Sequence, residues 1–214
     1  MQNIINKIFE EKIITIVRGV AKEDLIPLAE AMYKGGIRLL EITYGKASDE
    51  ETAENIAMLC KHFEGKMLIG AGTVLTKKQV ELTKNAGGKF IISPDTNTEV
   101  IAYTKELGLI SMPGAMTPSE IMTAYNAGAD FVKLFPASAM GADYIKAIKA
   151  PLSHINLLAV GGVDLNNMEE YYNAGACGFG LGSNIVNHTL IKNKDYDAIT
   201  KSAEAYVNKL KSIH

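Results

Sequence analysis

The sequence predicts an α/β protein built as a single (β/α)8 barrel, a TIM barrel, with a short helix ahead of the first strand. Three observations lead there. After an opening helix over 2–11, short β-branched apolar runs alternate with helical stretches along the whole chain, eight of each. Several of these runs are apolar nearly throughout, as expected of parallel strands covered on both faces. No linker or low-complexity segment divides the 214 residues, so one domain over 1–214 is expected. Eight units favour a closed barrel over an open doubly wound sheet, which usually has fewer strands.

Taken in order, strands are expected over 13–18, 38–43, 67–72, 90–93, 109–112, 131–135, 156–160 and 178–181. Ser48-x-x-Glu51, Thr76-x-x-Gln79, Thr96-x-x-Glu99 and Thr117-x-x-Glu120 have the capping-box form, and Pro118 sits at a first-turn position. Each follows a strand and marks a strand-to-helix turn. Gly35-Gly36, Gly87-Gly88, Gly108, Gly128 and Gly175 stand where a helix must stop before the next strand. Asn-Ala-Gly closes three of these helices, at 85–87, 126–128 and 173–175, a recurring βα device without a fixed period.

Composition narrows the function. Lys and Arg number 22 against 24 Asp and Glu, which gives no electrostatic case for nucleic acid or an anionic membrane. Cys60 and Cys177 are too few and too far apart for a disulfide framework or a zinc site, and read as small buried hydrophobes. No apolar run approaches the roughly 18 residues of a membrane span, and the N-terminus lacks a signal-like pattern. A soluble, cytoplasmic protein is expected.

In such a barrel the active site lies at the C-terminal ends of the strands. Lys133 stands there inside the apolar run Phe131-Val132-Lys133-Leu134-Phe135. Alternation puts it on one face with Phe131 and Phe135, so it is not simply on the solvent side of a half-exposed strand. An ion pair or a snorkelling ammonium would explain it. So would chemistry, because an apolar pocket disfavours the ammonium and frees the amine to attack a carbonyl.

Glu41, inside Leu39-Leu40-Glu41-Ile42-Thr43, poses the same problem. It is either a structural partner of Arg18 or Arg38, or the proton shuttle that an imine-forming amine requires. Arg18, at the end of the first strand, suits a carboxylate, and the Thr73 hydroxyl suits one too unless it makes a local turn bond. The two glycines before Thr73 are expected to let a ligand approach the backbone. Gly161-Gly162 and Gly182-Ser183 end the last two strands, where barrels often bind phosphate through glycine amides and a helix N-terminus. His62, His154, His188 and His214 fall at no strand end and have no metal-ligand spacing.

Six segments then occur in order: Leu40-Glu41-Ile42-Thr43; Ile69-Gly70-Ala71-Gly72-Thr73-Val74; Ile92-Ser93-Pro94; Met112-Pro113-Gly114 with Thr117-Pro118-Ser119-Glu120; Phe131 through Lys133 and Phe135 to Ala137; and Gly161-Gly162-Val163. Together, and from about residue 7 to 210, they resemble the class I aldolases of 2-keto-3-deoxy-6-phosphogluconate (KDPG) and 4-hydroxy-2-oxoglutarate (KHG). The resemblance implies a homotrimer that needs no cofactor or metal. It implies cleavage of a 2-keto acid to pyruvate and an aldehyde, glyceraldehyde 3-phosphate or glyoxylate. Lys133 becomes the Schiff-base lysine and Glu41 the acid/base acting through water. Arg18, Thr73, Pro94 and Phe135 become candidate substrate contacts, and Gly161, Gly162, Gly182 and Ser183 candidates for the phosphate.

Two departures bear on the substrate. Some members carry an arginine four residues after the glutamate, where this chain has Gly45 followed by Lys46; either Arg18 does the carboxylate's work or binding is weaker. Many KDPG aldolases read Pro-Thr-Gly-Gly on the seventh strand, where this chain reads Ala159-Val160-Gly161-Gly162. The stretches from Ser138 to Ala147 and from Ala159 to Val163 also resemble the 2-keto-3-deoxy-6-phosphogalactonate (KDPGal) branch, so both C4 epimers stay open. A metal-dependent barrel aldolase or phosphosugar epimerase is disfavoured, since the strand ends lack a His/Asp cluster. A non-catalytic phosphosugar-binding barrel is the alternative of another class.

Overall fold

The computed structural model describes residues 1–213. The chain begins with α1 (Gln2–Glu11), β1 (Ile13–Val17), α2 (Lys22–Lys34), β2 (Leu39–Thr43), α3 (Asp49–His62), β3 (Leu68–Gly72) and α4 (Lys77–Asn85). It continues through β4 (Phe90–Ile92), α5 (Thr98–Glu106), β5 (Ile110–Met112), β6 (Gly114–Ala115), α6 (Pro118–Asn126) and β7 (Val132–Leu134). It ends with α7 (Gly141–Lys149), β8 (Leu157–Val160), α8 (Met168–Asn173), β9 (Gly178–Leu181), α9 (His188–Lys192) and α10 (Tyr196–Ser212).

The strands pair in parallel in the order β5-β4-β3-β2-β1-β9-β8-β7-β6. This is the expected barrel, with each predicted strand in place to within a residue or two and one difference. The fifth strand is two segments, β5 and β6, split at Pro113, which has no N–H to give the ladder. Its β5 half pairs with β4 and its β6 half with β7, so the ring closes through one interrupted strand. Gly114 follows because the chain passes so close to the preceding strand end: a Cβ there would lie 2.3 Å from the Pro94 carbonyl oxygen.

Alternation along each strand divides the apolar residues between two cores. On β2, Leu40 and Ile42 face the helices while Leu39 joins Ile14, Phe90, Ile110, Phe131 and Leu158 inside the barrel. Helix α1 seals the N-terminal end of that interior with Ile4, Ile5, Ile8 and Phe9, whose ring lies 5.0 Å from that of Phe131. The lower barrel is thus packed, and the open space lies at the C-terminal mouth.

The helix starts follow the sequence signals with one correction. Ser48 and Thr76 accept from the N–H groups of Glu51 and Gln79, and Thr117 with Glu120 forms a full capping box with Pro118 in the first turn. Thr96 caps nothing. Asn97 accepts from Glu99 and Val100, while the Thr96 hydroxyl donates to the Gly114 carbonyl at 2.6 Å. An asparagine one residue on outcompetes threonine as a cap once that threonine is needed to brace the interrupted strand. After β9 two helices follow instead of one, because Lys194 turns left-handed and Asp195 starts a new cap.

Candidate active site

A cavity of about 510 Å3 opens at the C-terminal ends of the strands. All ten residues singled out in the sequence line it: Arg18, Glu41, Thr73, Pro94, Lys133, Phe135, Gly161, Gly162, Gly182 and Ser183. Ile16, Val160, Val163, Gly180 and Asn184 complete the wall. Of these, Ile16, Gly180 and Asn184 are not among the sequence candidates. Asn184 donates to the Val163 carbonyl and to the Tyr206 hydroxyl, tying the two turns together, a contact with no local sequence signal.

Lys133 and Glu41 sit at the bottom of this cavity, only 7% and 2% exposed. Strand register places Lys133 between Gly114 and Leu158, and Glu41 between Ile16 and Gly70. The Glu41 carboxylate has room because β3 has no side chain there: a Cβ on Gly72 would lie 2.6 Å from its carboxyl carbon. A Cβ on Gly70 would likewise enter the Phe90 ring. The expectation that these glycines admit a ligand to the backbone is therefore corrected. They make room for Glu41 and for the aromatic floor.

Neither group is neutralised. Glu41 makes no bond to Arg18 or Arg38, and one of its oxygens, Oε2, is buried with no hydrogen-bond partner. Burial pushes its carboxyl up to about 7, against the fields of Lys133 and Arg18, which favour the anion. Burial also moves the Lys133 amine down from its usual range, with Arg18 pushing the same way and Glu41 opposing both. The Lys133 ammonium position lies 4.7 Å from the Phe135 ring centroid, which stabilises the charged form in part. Burial thus works against the charged form of both groups.

Above them, Arg18 donates to the Thr73 hydroxyl at 3.0 Å, so guanidinium and hydroxyl stand side by side on the cavity wall. Thr73 holds φ 56°, a left-handed conformation that is strained for a β-branched residue, about 1–3 kcal/mol. Arg38 lies at the far end of the barrel, bonded to the Tyr33 and Ile37 carbonyls.

The opposite rim is glycine. Gly161 and Gly162 both take positive φ, with the Phe135 ring and the Ser138 side chain occupying the space where their Cβ atoms would be. Their carbonyls accept from Ser138 and from Asn167. Among the described residues, the N–H groups of Gly162, Val163, Ser183 and Asn184 donate to no acceptor of the chain. The expected helix N-terminus is not part of this rim. Residues 182–186 form a single turn on the Gly182 carbonyl, and α9 starts only at His188.

No histidine lines the cavity, and His214 lies outside the described residues. Among the described residues, no group of three or more His, Cys, Asp or Glu is placed to hold a metal, and no helix is long and apolar enough to cross a membrane. Cys60 and Cys177 are free and partly buried.

Known proteins are similar to this chain in sequence and in fold. The sequence profile of the KDPG and KHG aldolases matches residues 4–202. The 2-dehydro-3-deoxy-phosphogluconate aldolase of Haemophilus influenzae is 33% identical over 214 residues, 98% of either chain. The 2-dehydro-3-deoxy-6-phosphogalactonate aldolase of Escherichia coli K12 is 37% identical over 81% of this chain and 83% of its own. The crystal structure of the Legionella pneumophila KDPG aldolase, with pyruvate captured as a covalent carbinolamine, superposes with a TM-score of 0.86 at 32% identity, covering 94% of this chain and 97% of that one. On its sequence and its fold, the chain belongs to the KDPG and KHG aldolase family.

Proposed function

We propose that residues 1–214 act as one barrel domain, a class I aldolase that releases pyruvate from a 2-keto-3-deoxy acid through an imine on Lys133. The observation that carries this reading is the pair of buried, mutually unneutralised groups, Lys133 and Glu41, in one cavity. The neutral amine adds to the C2 ketone, and loss of water leaves a protonated imine. Glu41, through water, takes the proton of the C4 hydroxyl; the C3–C4 bond breaks, the aldehyde departs, and the electron pair is held as an enamine. The proton returns to C3, and hydrolysis frees pyruvate and the amine. A carboxyl titrating near 7 is suited to both transfers.

Arg18 and Thr73 bind the substrate carboxylate, Pro94 and Phe135 flank the pyruvyl part, and the turns of Gly161, Gly162, Gly182 and Ser183 take the phosphate. Their support is the adjacent Arg18 guanidinium and Thr73 hydroxyl at one rim and the unused amides at the other. The substrate is KDPG, with KHG as the smaller analogue that yields glyoxylate. A specific observation favours a second reading, KDPGal: Val160 is buried against Gly180 in the wall and donates no hydrogen bond to a C4 hydroxyl. The protein acts without metal or other cofactor, as a homotrimer in the cytoplasm.

Borohydride with pyruvate is expected to fix one covalent adduct at Lys133; an adduct that persists in Lys133→Ala would remove the mechanism. Comparing kcat/KM on KDPG, KDPGal and KHG separates the substrates, and a preference for unphosphorylated KHG would remove the phosphate assignment. Ligand binding without any pyruvate release would instead indicate a binding barrel.

A further inference from the structure

The N-terminal face of the barrel carries a second cleft, of about 660 Å3, between α1 and the C-terminal ends of α3 and α4. Its floor is apolar, with Ile4, Met67, Leu68 and Ile69. Its rim is cationic: Lys7, Arg38, Lys61, Lys66 and Lys89 face one carboxylate, Glu64, in a chain whose net charge is −2. Two of the cations are engaged already. Lys7 pairs with Glu10 and Glu11, and Arg38 donates to two carbonyls and lies over the Tyr33 ring. Among the described residues, the ammonium groups of Lys61, Lys66 and Lys89 make no ion pair or hydrogen bond.

Lysines gather at helix C-termini for a simple reason, since free carbonyls and the helix dipole attract cations. That accounts for Lys12 and Lys149, whose ammonium groups reach carbonyls of Phe9 and of Ser153 and Ile155. It does not account for the three at the cleft. The carbonyls of Leu59, Phe63, Leu82, Thr83 and Lys84 around those helix ends are met by backbone N–H groups, and no lysine reaches them. Three unpaired cations over an apolar floor are the complement of a small polyanion with an apolar body, and the volume is that of an ordinary small-molecule site.

We propose that this cleft binds a small polyphosphate ester carrying an apolar or aromatic body, the chemistry of a nucleoside diphosphate. The cleft reaches Arg38, just before the strand that carries Glu41, and Leu68, at the start of the strand that ends at Gly72. The assignment is independent of the aldolase reading.

Titration calorimetry on the full chain at low salt, with ADP as the probe, tests it. Binding is expected to weaken at least about 10-fold in the triple variant K61Q/K66Q/K89Q and to weaken with added salt. Glu64→Gln is expected to tighten it by about two- to three-fold. Pyruvate release without ADP is expected to be unchanged in both variants. Absence of any ADP binding overturns the proposal. So does binding that survives the triple variant, or that glycerol 3-phosphate displaces, since either puts ADP elsewhere. Pyrophosphate binding as tight as that of ADP overturns the assignment of an apolar body.

Discussion

Lys133, buried, and Lys105, partly buried, are two lysines of one barrel with opposite surroundings. At the N-terminal face, the Lys105 ammonium lies 2.6 Å from each carboxylate oxygen of Asp130. Asp130 also accepts from the Ser111 N–H, and its carbonyl accepts from Asn156. At the mouth, Lys133 and Glu41 are again a lysine and a carboxylate, yet they feel each other only through space, and one carboxylate oxygen has no partner at all. A closed ion pair holds its proton and fixes the chain. An open one leaves the amine free to react and leaves burial unrelieved, so the protein is less stable for having it.

The sharpest way to break this comparison is Glu41→Gln. Without its shuttle, kcat is expected to fall by about 10²–10⁴-fold, read by coupled pyruvate release. Stability is expected to rise at the same time. Between pH 4.5 and about 7 the folded Glu41 keeps a proton that the unfolded one has lost, so wild-type stability falls as pH rises through that window and levels off above it. The variant lacks this loss, and its advantage in urea unfolding at pH 8 is expected to be on the order of 1–3 kcal/mol. A variant that is less stable at pH 8 than the wild type would mean that Glu41 is a structural partner after all.

Asp130→Ala makes the complementary change. It strands the Lys105 cation and leaves the Ser111 N–H unmet, in surroundings where the two side chains are 24% and 11% exposed. A loss of about 1–3 kcal/mol is expected, with kcat within about two-fold of wild type. Lost activity at intact stability would show that the two faces are not separable. The smallest effect is assigned to Thr73→Gly. Glycine accepts φ 56° freely, so stability is expected to rise by up to about 1 kcal/mol while KM increases several-fold as the hydroxyl beside Arg18 is lost. An unchanged KM would remove Thr73 from the binding set.

Much of this was legible in the chain because it rests on local rules. Strand positions followed from β-branched apolar runs, and Ser48, Thr76 and Thr117 were readable as caps because each must satisfy N–H groups within its own turn. The ten residues picked at strand ends share one cavity because a barrel brings all its C-terminal strand ends together. Three things were not legible. The cap moved from Thr96 to Asn97 because of a bond to Gly114, 18 residues on. Gly70 and Gly72 serve Phe90 and Glu41, which belong to neighbouring strands. Two glycine turns reach the mouth without a helix N-terminus, because the turn at 182–186 closes on itself before α9 begins.

The sequence by itself determined the alternation, the family, and which ionisable groups would be trapped in apolar strands, since each of these depends on neighbours along the chain. Tertiary structure alone decided how those groups meet. Whether Lys133 finds a partner depends on the closure of the ring, on Pro113 splitting the strand beside it, and on Gly72, which lets Glu41 sit low and unpaired. Pairing acts over a few ångströms between residues dozens of positions apart, so no local pattern encodes it.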